Sequence, residues 1–495
     1  MKRKQLTLVI VSLLVVVLSV SLAWFTTQII GKGKNLNVTS ANLQIVFTDS
    51  DGSISGSNIE PGWSATKTFT VQNNSKSEYK YNIVIKDLLN TFVTNGYLQY
   101  KITTTNGGYN MTEFKDIPKS STPKDTILAY SVVIPNGVTQ SYTIEFKYAN
   151  DESVDQSDDM GRKLSGTLFI TEGTEDPNKT LYNQLLVDKS TKLTRTDFST
   201  VLTTDNTNTL YTSTEDSKTV YYFAGNATDN WVKFGKNASN QDLYWRIIRT
   251  NSDGSVRLLY HGTSATATDA YIGESAFNSS YNNIASVSYM YGSLGGIPNA
   301  RENTTNSTIK TIIDNWYKDN LNTNYGKYLS TTAVYCNDRS TSDNYEFGAY
   351  TRLDTNKTPT YDCATTEDKF TVDTSTGNGK LTYPIALMTA DEVAFAGGVD
   401  ATNAETWYYY NSANKSSTGS TWWWLLSPHF WDDRDAFVFG VDGSSSPGRL
   451  SSYRVGSTYG VRPAISLKSC VKTSGGDGSA SAPYTIEETT STSGC

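Results

Sequence analysis

The 495-residue sequence predicts a multidomain chain in which an all-β sandwich precedes an α+β domain. Residues 35–172 alternate apolar and polar side chains in short runs that end at Gly, Asn or Pro, which is typical of antiparallel strands. Residues 181–485 combine strand-like runs with amphipathic helical stretches and long polar loops, which indicates an α+β fold. Residues 173–180 contain turn formers and charges without an apolar pattern, so they are predicted to be the linker. Residues 486–495 are predicted to be a polar tail.

Residues 1–30 are predicted to be an export leader. The basic stretch Lys2-Arg3-Lys4 precedes a long run of Leu, Val and Ile, and small residues follow at Ser21 and Ala23. This order is typical of a signal peptide that is cleaved after Ala23. The uncharged run Leu6–Phe25 is also long enough to span a bilayer, so an uncleaved signal anchor is the alternative. Both interpretations place the rest of the chain outside the cytoplasm, secreted or at the cell surface, with membrane contact only through the leader.

The first domain contains several strand-like runs separated by turn signals such as Asp51-Gly52 and Pro61-Gly62. Short strands at regular spacing between such turns predict an antiparallel sandwich. The runs are Leu43–Phe47, Thr66–Val71, Tyr81–Ile85, Ile127–Ile134, Ser141–Phe146 and Lys163–Ile170.

One stretch of this domain is Glu60-Pro-Gly-Trp-Ser-Ala-Thr-Lys-Thr-Phe-Thr-Val-Gln-Asn-Asn-Ser75, and the leader ends in Leu22-Ala-Trp-Phe-Thr26. Together they resemble the camelysin-type exported proteins of Gram-positive bacteria. That family includes biofilm-fibre subunits with a jelly-roll-like sandwich, so the resemblance implies a stalk or a self-assembly module. A plain spacer is the alternative. Some relatives are labelled metalloproteases, but this domain has no histidine and no His-Glu-x-x-His helix, so no metal site is expected.

In the second domain, short helices are expected around Leu181–Val187 and Arg195–Leu202. A hairpin is expected where Leu243–Thr250 and Val256–Tyr260 flank the turn Asn251–Gly254. Further strands are expected at Val220–Gly225 and Trp231–Gly235.

Two longer helical signals follow in this domain. The first helix would take its N-cap from Asn306 or Ser307. The second begins at Thr389, because Thr389-Ala-Asp-Glu392 is a capping box, and Gly397-Gly398 ends it. The apolar face of the first helix is predicted to consist of Ile309, Ile312, Ile313, Trp316 and Leu321.

Five motifs in the second domain occur together and in order: Tyr244-Trp-Arg-Ile-Ile-Arg249, Ser288-Tyr-Met-Tyr-Gly292, Leu387-Met-Thr-Ala-Asp-Glu-Val393, Trp423-Trp-Leu-Leu-Ser-Pro428 and Gly460-Val-Arg-Pro-Ala-Ile-Ser-Leu467. This set resembles the C-type-lectin-fold domains of bacterial surface proteins, which are related to formylglycine-generating enzymes. Among these proteins are the variable proteins of diversity-generating retroelements. The resemblance implies a compact C-type-lectin fold with two helices and a small twisted sheet. It also implies that ligand contacts lie between the Trp-rich strand and the terminal Gly-Val-Arg-Pro strand.

The composition argues against several functions. The formal net charge is −7 and no basic patch is present, so nucleic acid is not an expected partner. The chain has only two histidines, His261 and His429, which limits histidine-based catalysis and metal binding. His429 stands near several aspartates, but no paired nucleophile accompanies it, so a surface histidine in a polar loop is expected. No catalytic residue, metal site or cofactor is therefore predicted, and the chain is not expected to be an enzyme.

Four cysteines in an exported chain predict two disulfides. Cys336–Cys363 is the favoured pair because both residues lie in one loop-rich segment, and Cys470–Cys495 would then hold the tail. A free thiol at Cys495 is the alternative. The formylglycine-generating enzymes use a closely placed reactive cysteine pair, and the positions of these cysteines do not match it.

The candidate binding segment is 429–459, between the expected scaffold strands Trp422–Pro428 and Gly460–Leu467. At least two of the tryptophans at 422–424 are expected in the core, because large aromatic residues on strands usually pack inside. The segment between is rich in the residue types that dominate binding hot spots and antibody loops. The candidate ligand-binding residues are His429, Phe430, Trp431, Asp432, Asp433, Arg434, Phe437, Asp442, Ser444, Arg449, Ser451, Tyr453, Arg454, Ser457 and Tyr459.

Residue usage in this region is unusual, because Lys, Glu, Gln, Met and Asn are all absent from Ser427–Leu467 although each occurs elsewhere in the chain. Retroelement mutagenesis changes adenines, and an AAC codon changed at its first two bases cannot encode Lys, Glu, Gln, Met or Trp. This usage favours a diversified segment in which template asparagines have been replaced. A small sheet rich in Gly and Ser is the alternative. If the segment is diversified, Trp431 is scaffold or a fixed contact, because such a codon change cannot produce Trp.

Three functions follow from the sequence. The first is an adhesin-like surface protein whose segment 429–459 binds a protein or glycan on another cell, a phage or a host surface. The second is an extracellular fibre or biofilm-matrix subunit that self-assembles through its first domain. The third is an oxidase of the formylglycine-generating type, which the cysteine positions disfavour.

Overall fold

A computed structural model describes residues 35–40, 43–49, 53–55, 59–111, 113–174, 176, 179–189, 191–343, 346–409 and 416–491. The predicted export leader, residues 1–30, and Cys495 lie outside the described residues. The chain folds as two compact units, Met1–Pro177 (unit 1) and Asn178–Cys495 (unit 2). Strands predominate over helices, so the β-rich, multidomain organisation predicted from the sequence is confirmed.

Unit 1 is all β apart from a single 3-10 turn among its described residues, Ser157–Asp159. Its strands are β1 (Asn35–Ser40), β2 (Leu43–Asp49), β3 (Ser53–Ser55), β4 (Ser64–Asn73), β5 (Tyr79–Asn90), β6 (Leu98–Thr105), β7 (Lys115–Asp116), β8 (Ser120–Ile134), β9 (Thr139–Tyr148) and β10 (Leu164–Glu172). They form two antiparallel sheets, ordered β1-β2-β4-β9-β6-β7 and β3-β10-β5-β8, which share one hydrophobic core. In β9, Tyr142, Ile144 and Phe146 are buried whereas the residues between them are more exposed. This alternation follows from the two-residue period of a strand.

Unit 2 is built from many short strands. They are β11 (Thr191–Thr194), β12 (Asp205–Asn206), β13 (Thr209–Glu215), β14 (Lys218–Tyr222), β15 (Asn226–Ala227), β16 (Trp231–Lys236), β17 (Asp242–Thr250), β18 (Val256–Gly262), β19 (Glu274–Ala276), β20 (Met290–Tyr291), β21 (Thr305–Asn306), β22 (Tyr335–Cys336), β23 (Thr341–Asp343), β24 (Glu346–Phe347), β25 (Lys369–Phe370), β26 (Ile385–Leu387), β27 (Trp423–Trp431), β28 (Ala436–Val441), β29 (Leu450–Arg454), β30 (Thr458–Gly460), β31 (Pro463–Leu467), β32 (Thr473–Gly475) and β33 (Tyr484–Ile486).

Two larger sheets organise these strands. The ten-stranded sheet runs β11-β13-β14-β17-β16-β33-β32, with β18, β31 and β26 continuing from β17. The seven-stranded sheet runs β19-β30-β27-β24-β23, with β28 paired to β27 and β29 paired to β28. All residues of β18 and β31 are buried, which is typical of strands covered on both faces. The candidate binding segment lies on the strands of the seven-stranded sheet.

Short helices connect and cover the strands of unit 2. They are α1 (Leu181–Asp188), α2 (Ile297–Ala300), α3 (Thr308–Asn320), α4 (Asn322–Tyr325), α5 (Gly348–Tyr350) and α6 (Ala390–Phe395), with 3-10 turns at Ile284–Val287, Gly326–Tyr328 and Thr366–Asp368 and a π turn at Thr351–Asn356. The end signals in the sequence are confirmed. The Ser307 hydroxyl accepts a hydrogen bond from the Lys310 N–H, and Thr389 and Glu392 form the predicted capping box.

One predicted helix is wrong. Residues Arg195–Leu202 form no helix, because the Arg195 side chain makes tertiary contacts instead. Its guanidinium donates to the carbonyl oxygens of Ala394 (2.9 Å) and Thr200 (2.8 Å) and lies over the ring of Phe198. Such contacts override a weak local helix preference.

Buried ion pairs hold α6 against the ten-stranded sheet. Glu392 Oε1 accepts hydrogen bonds from Arg249 Nε on β17 (2.9 Å) and from Arg257 Nη1 on β18 (2.6 Å). Glu392 Oε2 accepts the N–H of Thr389 at 3.0 Å. All three charged side chains are at most 2% exposed. Burial alone would raise the pKa of Glu392, but the positive charges of Arg257 and Arg249 hold this pKa below its usual value.

The predicted disulfide Cys336–Cys363 is present, with its Cα atoms 5.7 Å apart. Cys470 is also disulfide-bonded, and its predicted partner lies outside the described residues. No helix among the described residues is long and apolar enough to cross a membrane.

Candidate functional site

The strand that opens the candidate segment is a buried scaffold. Trp423 and Trp424 are fully buried on β27, as predicted for at least two of the three tryptophans. The guanidinium of the buried Arg462 lies over the Trp423 ring, 4.7 Å from its centroid. The Trp424 indole N–H donates to the Ser275 carbonyl at 2.8 Å. Trp422 differs, because it precedes the strand and is partly exposed.

The turn between β27 and β28 is fixed by Asp432. Its Oδ1 accepts hydrogen bonds from the N–H groups of Arg434 (3.0 Å) and Asp435 (2.7 Å). These two hydrogen bonds lower the pKa of the Asp432 carboxyl, and the bond from Asp435 has the larger effect. Asp433 takes the left-handed conformation that the tight turn requires, with φ +70°. Asp432 therefore shapes the turn, while Asp433 and Arg434 are exposed to solvent.

A row of four residues crosses the seven-stranded sheet from β24 to β29. Glu346 is opposite Phe430, Phe430 is opposite Phe437, and Phe437 is opposite Arg454. Directly opposed residues point to the same face of a sheet. The two phenylalanine rings stack 4.2 Å apart at an interplanar angle of 11°. We call these four residues the cross-strand row.

The ends of the cross-strand row are charged and its middle is aromatic. Glu346 and Arg454 are exposed, and both phenylalanines are partly exposed. Arg454 pairs with Asp435 at the turn, with Nη2 and Oδ2 2.7 Å apart. Cross-strand aromatic pairs stabilise sheets, and aromatic side chains and arginine are also enriched at binding interfaces.

A second aromatic group lies at the other end of β27. The Trp422 ring is 4.3 Å from that of Tyr453 and 5.2 Å from that of Tyr459. Tyr453 is buried, whereas Trp422 and Tyr459 are partly exposed. Trp423 is opposite Val441 and Phe430 is opposite Phe437, four residues apart on β28, which puts roughly 13 Å of strand between the two groups. The segment thus presents two distinct aromatic surfaces.

Asp442 organises the loop beside this second group. Its Oδ1 accepts the N–H of Ser444 at 2.9 Å. Its Oδ2 accepts the Ser445 hydroxyl at 3.0 Å and Arg449 Nη2 at 3.3 Å. Asp442 is fully buried and the Arg449 side chain is 29% exposed. The carboxylate therefore orders a loop that presents serines and a guanidinium to solvent.

His429 is not the surface loop residue that the sequence suggested. It lies on β27, is buried, and packs against the rings of Tyr350 (4.7 Å) and Phe439 (4.4 Å). Burial lowers the pKa of His429 to about 3, although Asp354 opposes this shift. Its Nδ1 has no hydrogen-bond partner among the described residues. The imidazole is therefore neutral in the folded chain and packs as an aromatic residue.

Replacing His429 with phenylalanine should reduce the acid sensitivity of unit 2. The folded-state pKa of about 3 lies below the ordinary value of 6.5. The stability that neutral His429 contributes is therefore present above about pH 6.5 and is lost as the pH falls toward 3. Between pH 6 and 4, the free energy of unfolding should fall less steeply with decreasing pH in the variant than in the wild type, by up to about 1.4 kcal/mol per pH unit.

Urea titrations of the wild type and of His429→Phe at several pH values measure this difference. Burial and a hydrogen bond with Asp354 raise the pKa of Asp400 to about 6. The stability that Asp400 contributes therefore increases as the pH falls, which is opposite to the effect of His429. Asp400 and the buried His261 are present in both proteins, so the comparison isolates His429. Identical slopes would show that His429 does not titrate on unfolding.

The fifteen sequence-predicted residues fall into three classes of exposure. Asp432, Asp433, Arg434, Ser444 and Arg454 are exposed. Phe430, Trp431, Phe437, Arg449, Ser451, Ser457 and Tyr459 are partly exposed. His429, Asp442 and Tyr453 are buried, so they support the surface rather than form it.

Three surface residues near the segment were not among the predicted residues. Glu346 reaches the row through strand pairing with Phe430. Tyr281 is 46% exposed, and its carbonyl accepts the N–H of Ala436 at 2.8 Å. Both are distant in sequence, so no local signal marks them. Trp422 is partly exposed because it precedes β27, and the two-residue period of a strand gives no signal for this.

No group of three or more His, Cys, Asp or Glu side chains among the described residues could hold a metal ion. A small, nearly enclosed space is lined by Arg249, Arg257, Arg352, Asp391 and Glu392, whose charges are paired with one another. The arrangement there is that of a structural ion-pair network. The surface of the seven-stranded sheet therefore remains the candidate site.

Residues 306–469 match a family model described as a domain of unknown function, DUF6273. The matched range includes α3, α6 and the strands β22 to β31. No curated protein and no solved structure matches the chain.

Proposed function

We propose that this chain is an extracellular binding protein whose seven-stranded sheet in unit 2 recognises a ligand on another surface. The observation that carries the proposal is the cross-strand row, in which two stacked phenylalanines lie partly exposed between Glu346 and Arg454. The ligand is a protein or a glycan outside the cell. Unit 1 would serve as the stalk that carries unit 2.

The energetics of the row support binding. Exposed aromatic side chains leave apolar area in water, and covering them gains about 25 cal/mol per Å². Stacked rings on paired strands lose little further conformational freedom when a ligand covers them. The charged ends of the row give the ligand an orientation, since Glu346 and Arg454 are of opposite sign.

A rigid support lies beneath the row. Ala436 and Val438 on β28 are buried on the face opposite to Phe437, and the turn at Asp432 is closed by backbone hydrogen bonds. Binding residues held by such a scaffold can vary without loss of the fold. This division between support and surface fits the C-type-lectin-fold display domain that the five sequence motifs imply. The absence of Lys, Glu, Gln, Met and Asn from Ser427–Leu467 further supports a diversified surface.

The test is capture of the purified full chain on two arrays, one of extracellular proteins and one of glycans. The double variant Phe430→Ser/Phe437→Ser should weaken whatever binding is found by about 30-fold or more, as expected when hot-spot aromatics worth about 2 kcal/mol are lost. Both side chains are partly exposed and their rings stack, so the double variant should lose about 1–2 kcal/mol of stability and remain folded in the binding assay.

A matched control is Leu294→Ser/Ile312→Ser, which removes two exposed apolar side chains elsewhere on unit 2. This control should bind as the wild type does. Unchanged binding by the phenylalanine variant, or no capture of the wild type on either array, would contradict the proposal.

A further inference from the structure

The second aromatic surface has the form of a stacking platform. Trp422 and Tyr459 are both partly exposed, and their rings are tilted by only 30° at 5.2 Å. Beneath them lie the buried rings of Tyr453, 4.3 Å from Trp422, and of Trp424, 5.1 Å from Tyr459. We call Trp422 and Tyr459 the aromatic platform. Two supported, partly exposed rings in mutual contact present an adjoining apolar surface to solvent.

The platform is held in place before any ligand arrives. The Trp422 indole N–H donates to the Ser444 hydroxyl at 3.1 Å. The Trp422 carbonyl accepts the N–H of Gly460 at 2.7 Å, which ties it to the strand that carries Tyr459. Tyr459 is itself paired across the sheet with Ser275. A ligand would therefore bind without ordering these two side chains, which lowers the entropic cost of association.

Planar polar groups border the platform on the side of the Asp442 loop. Ser444 and Ser445 are exposed, and Arg449 reaches solvent while paired to Asp442. The Arg449 guanidinium donates to Asp442 at 3.3 Å and also interacts with the Tyr453 hydroxyl. The buried Tyr453 hydroxyl also interacts with Ser451. These contacts hold Arg449 at the platform's edge, with part of its side chain open to solvent.

On the opposite side, the exposed Glu274 accepts the Thr421 hydroxyl at 3.0 Å. The surroundings of the platform thus hold two carboxylates, one guanidinium and several hydroxyls. Asp442 is buried and offsets the charge of Arg449, while the exposed Glu274 opposes an anionic ligand such as a phosphate or a sulfated sugar. Neutral hydroxyl groups can donate to Glu274 and accept from the Arg449 guanidinium.

We infer that Trp422 and Tyr459 stack against a neutral pyranose ring of a glycan, which Arg449, Ser444 and Glu274 orient through its hydroxyls. This inference rests on the proposed binding function and names its ligand class. A pyranose has one face of C–H groups and a rim of hydroxyls. That distribution complements an apolar aromatic plane bordered by planar polar groups. The cross-strand row points to the other face of the sheet, because Phe437 is opposite Arg454 and the adjacent Val438 is opposite Tyr453, on which Trp422 packs, so the two surfaces would bind separately.

The test uses the full chain and neutral oligosaccharides of glucose, galactose, mannose and N-acetylglucosamine, immobilised and in solution. Trp422→Ala and Tyr459→Ala should each weaken binding of the captured oligosaccharide at least tenfold. Trp422→Phe keeps a ring at the platform and should retain most of the binding. Titration of the wild type should also change tryptophan fluorescence, because Trp422 would become covered.

The outcomes separate this inference from the proposed function. Neutral oligosaccharide binding that survives Trp422→Ala would overturn the platform. Capture of protein or charged glycans alone, with sensitivity to Phe430→Ser/Phe437→Ser, would overturn the platform and leave the proposed function standing. No capture on any array would overturn both.

Discussion

Replacing Glu392 with alanine is expected to lower the free energy of unfolding of unit 2 by about 3–5 kcal/mol, because it leaves the buried Arg257 without an acidic partner and Arg249 with only one. Glu392 accepts hydrogen bonds from Arg249 and Arg257, and Glu215 is the remaining acid that pairs with Arg249. The variant would also remove half of the capping box that begins α6. Removing one partner of a buried pair costs more than the pair contributes, since an uncompensated charge stays out of water.

Urea unfolding followed by tryptophan fluorescence measures this loss. Eight of the ten tryptophans lie after residue 178, so the signal reports mainly on unit 2. The matched control is Glu488→Ala, which removes an exposed acid from the same unit and should change the free energy of unfolding by less than about 0.5 kcal/mol. Equal effects of the two substitutions would show that the buried network does not hold α6.

Trp423→Ala is expected to destabilise unit 2 by about 3–5 kcal/mol, the range for loss of a fully buried large aromatic side chain. Trp423 has no exposed surface and lies against the guanidinium of Arg462, so the cavity would expose a buried cation to an empty space. The neighbouring residue supplies a control of the same chemical type. Trp422→Ala removes a partly exposed ring and should cost only about 1 kcal/mol.

Thermal and urea unfolding of the two tryptophan variants decide this point together. Trp423→Ala should be much less stable than the wild type but should keep its oligosaccharide binding. Trp422→Ala should keep most of its stability but should bind the oligosaccharide weakly. A similar loss in both variants would show that the boundary between scaffold and surface does not lie between these two residues.

Much of the fold was predictable because it depends on local signals. The capping box at Thr389 and the N-cap at Ser307 are set by residues three positions apart, and both are present. The alternating strands of unit 1 follow from burial on one face, which a two-residue period encodes directly. The Cys336–Cys363 pairing was predicted from the nearness of its cysteines in a loop-rich segment, and it is also present.

The candidate site was predictable only in part, because pairing across the sheet brings distant residues together. Phe430 and Phe437 lie within the predicted segment, but Glu346 joins their row from another strand. His429 appeared polar beside its aspartates, yet the strand turns it inward onto Tyr350 and Phe439. Tyr453 has a residue type common in binding loops, but it packs beneath Trp422 instead. Residue type alone does not reveal which face of a strand meets solvent.

The measurement that tests the central claim most directly is hydroxyl-radical footprinting of the full chain with and without the ligand captured on the arrays. We expect oxidation of Phe430 and Phe437 to fall when the ligand is bound. Oxidation of Met160, which is 82% exposed on unit 1, should stay constant. Unchanged oxidation of both phenylalanines, with protection elsewhere in the chain, would contradict the assignment of the seven-stranded sheet as the binding surface.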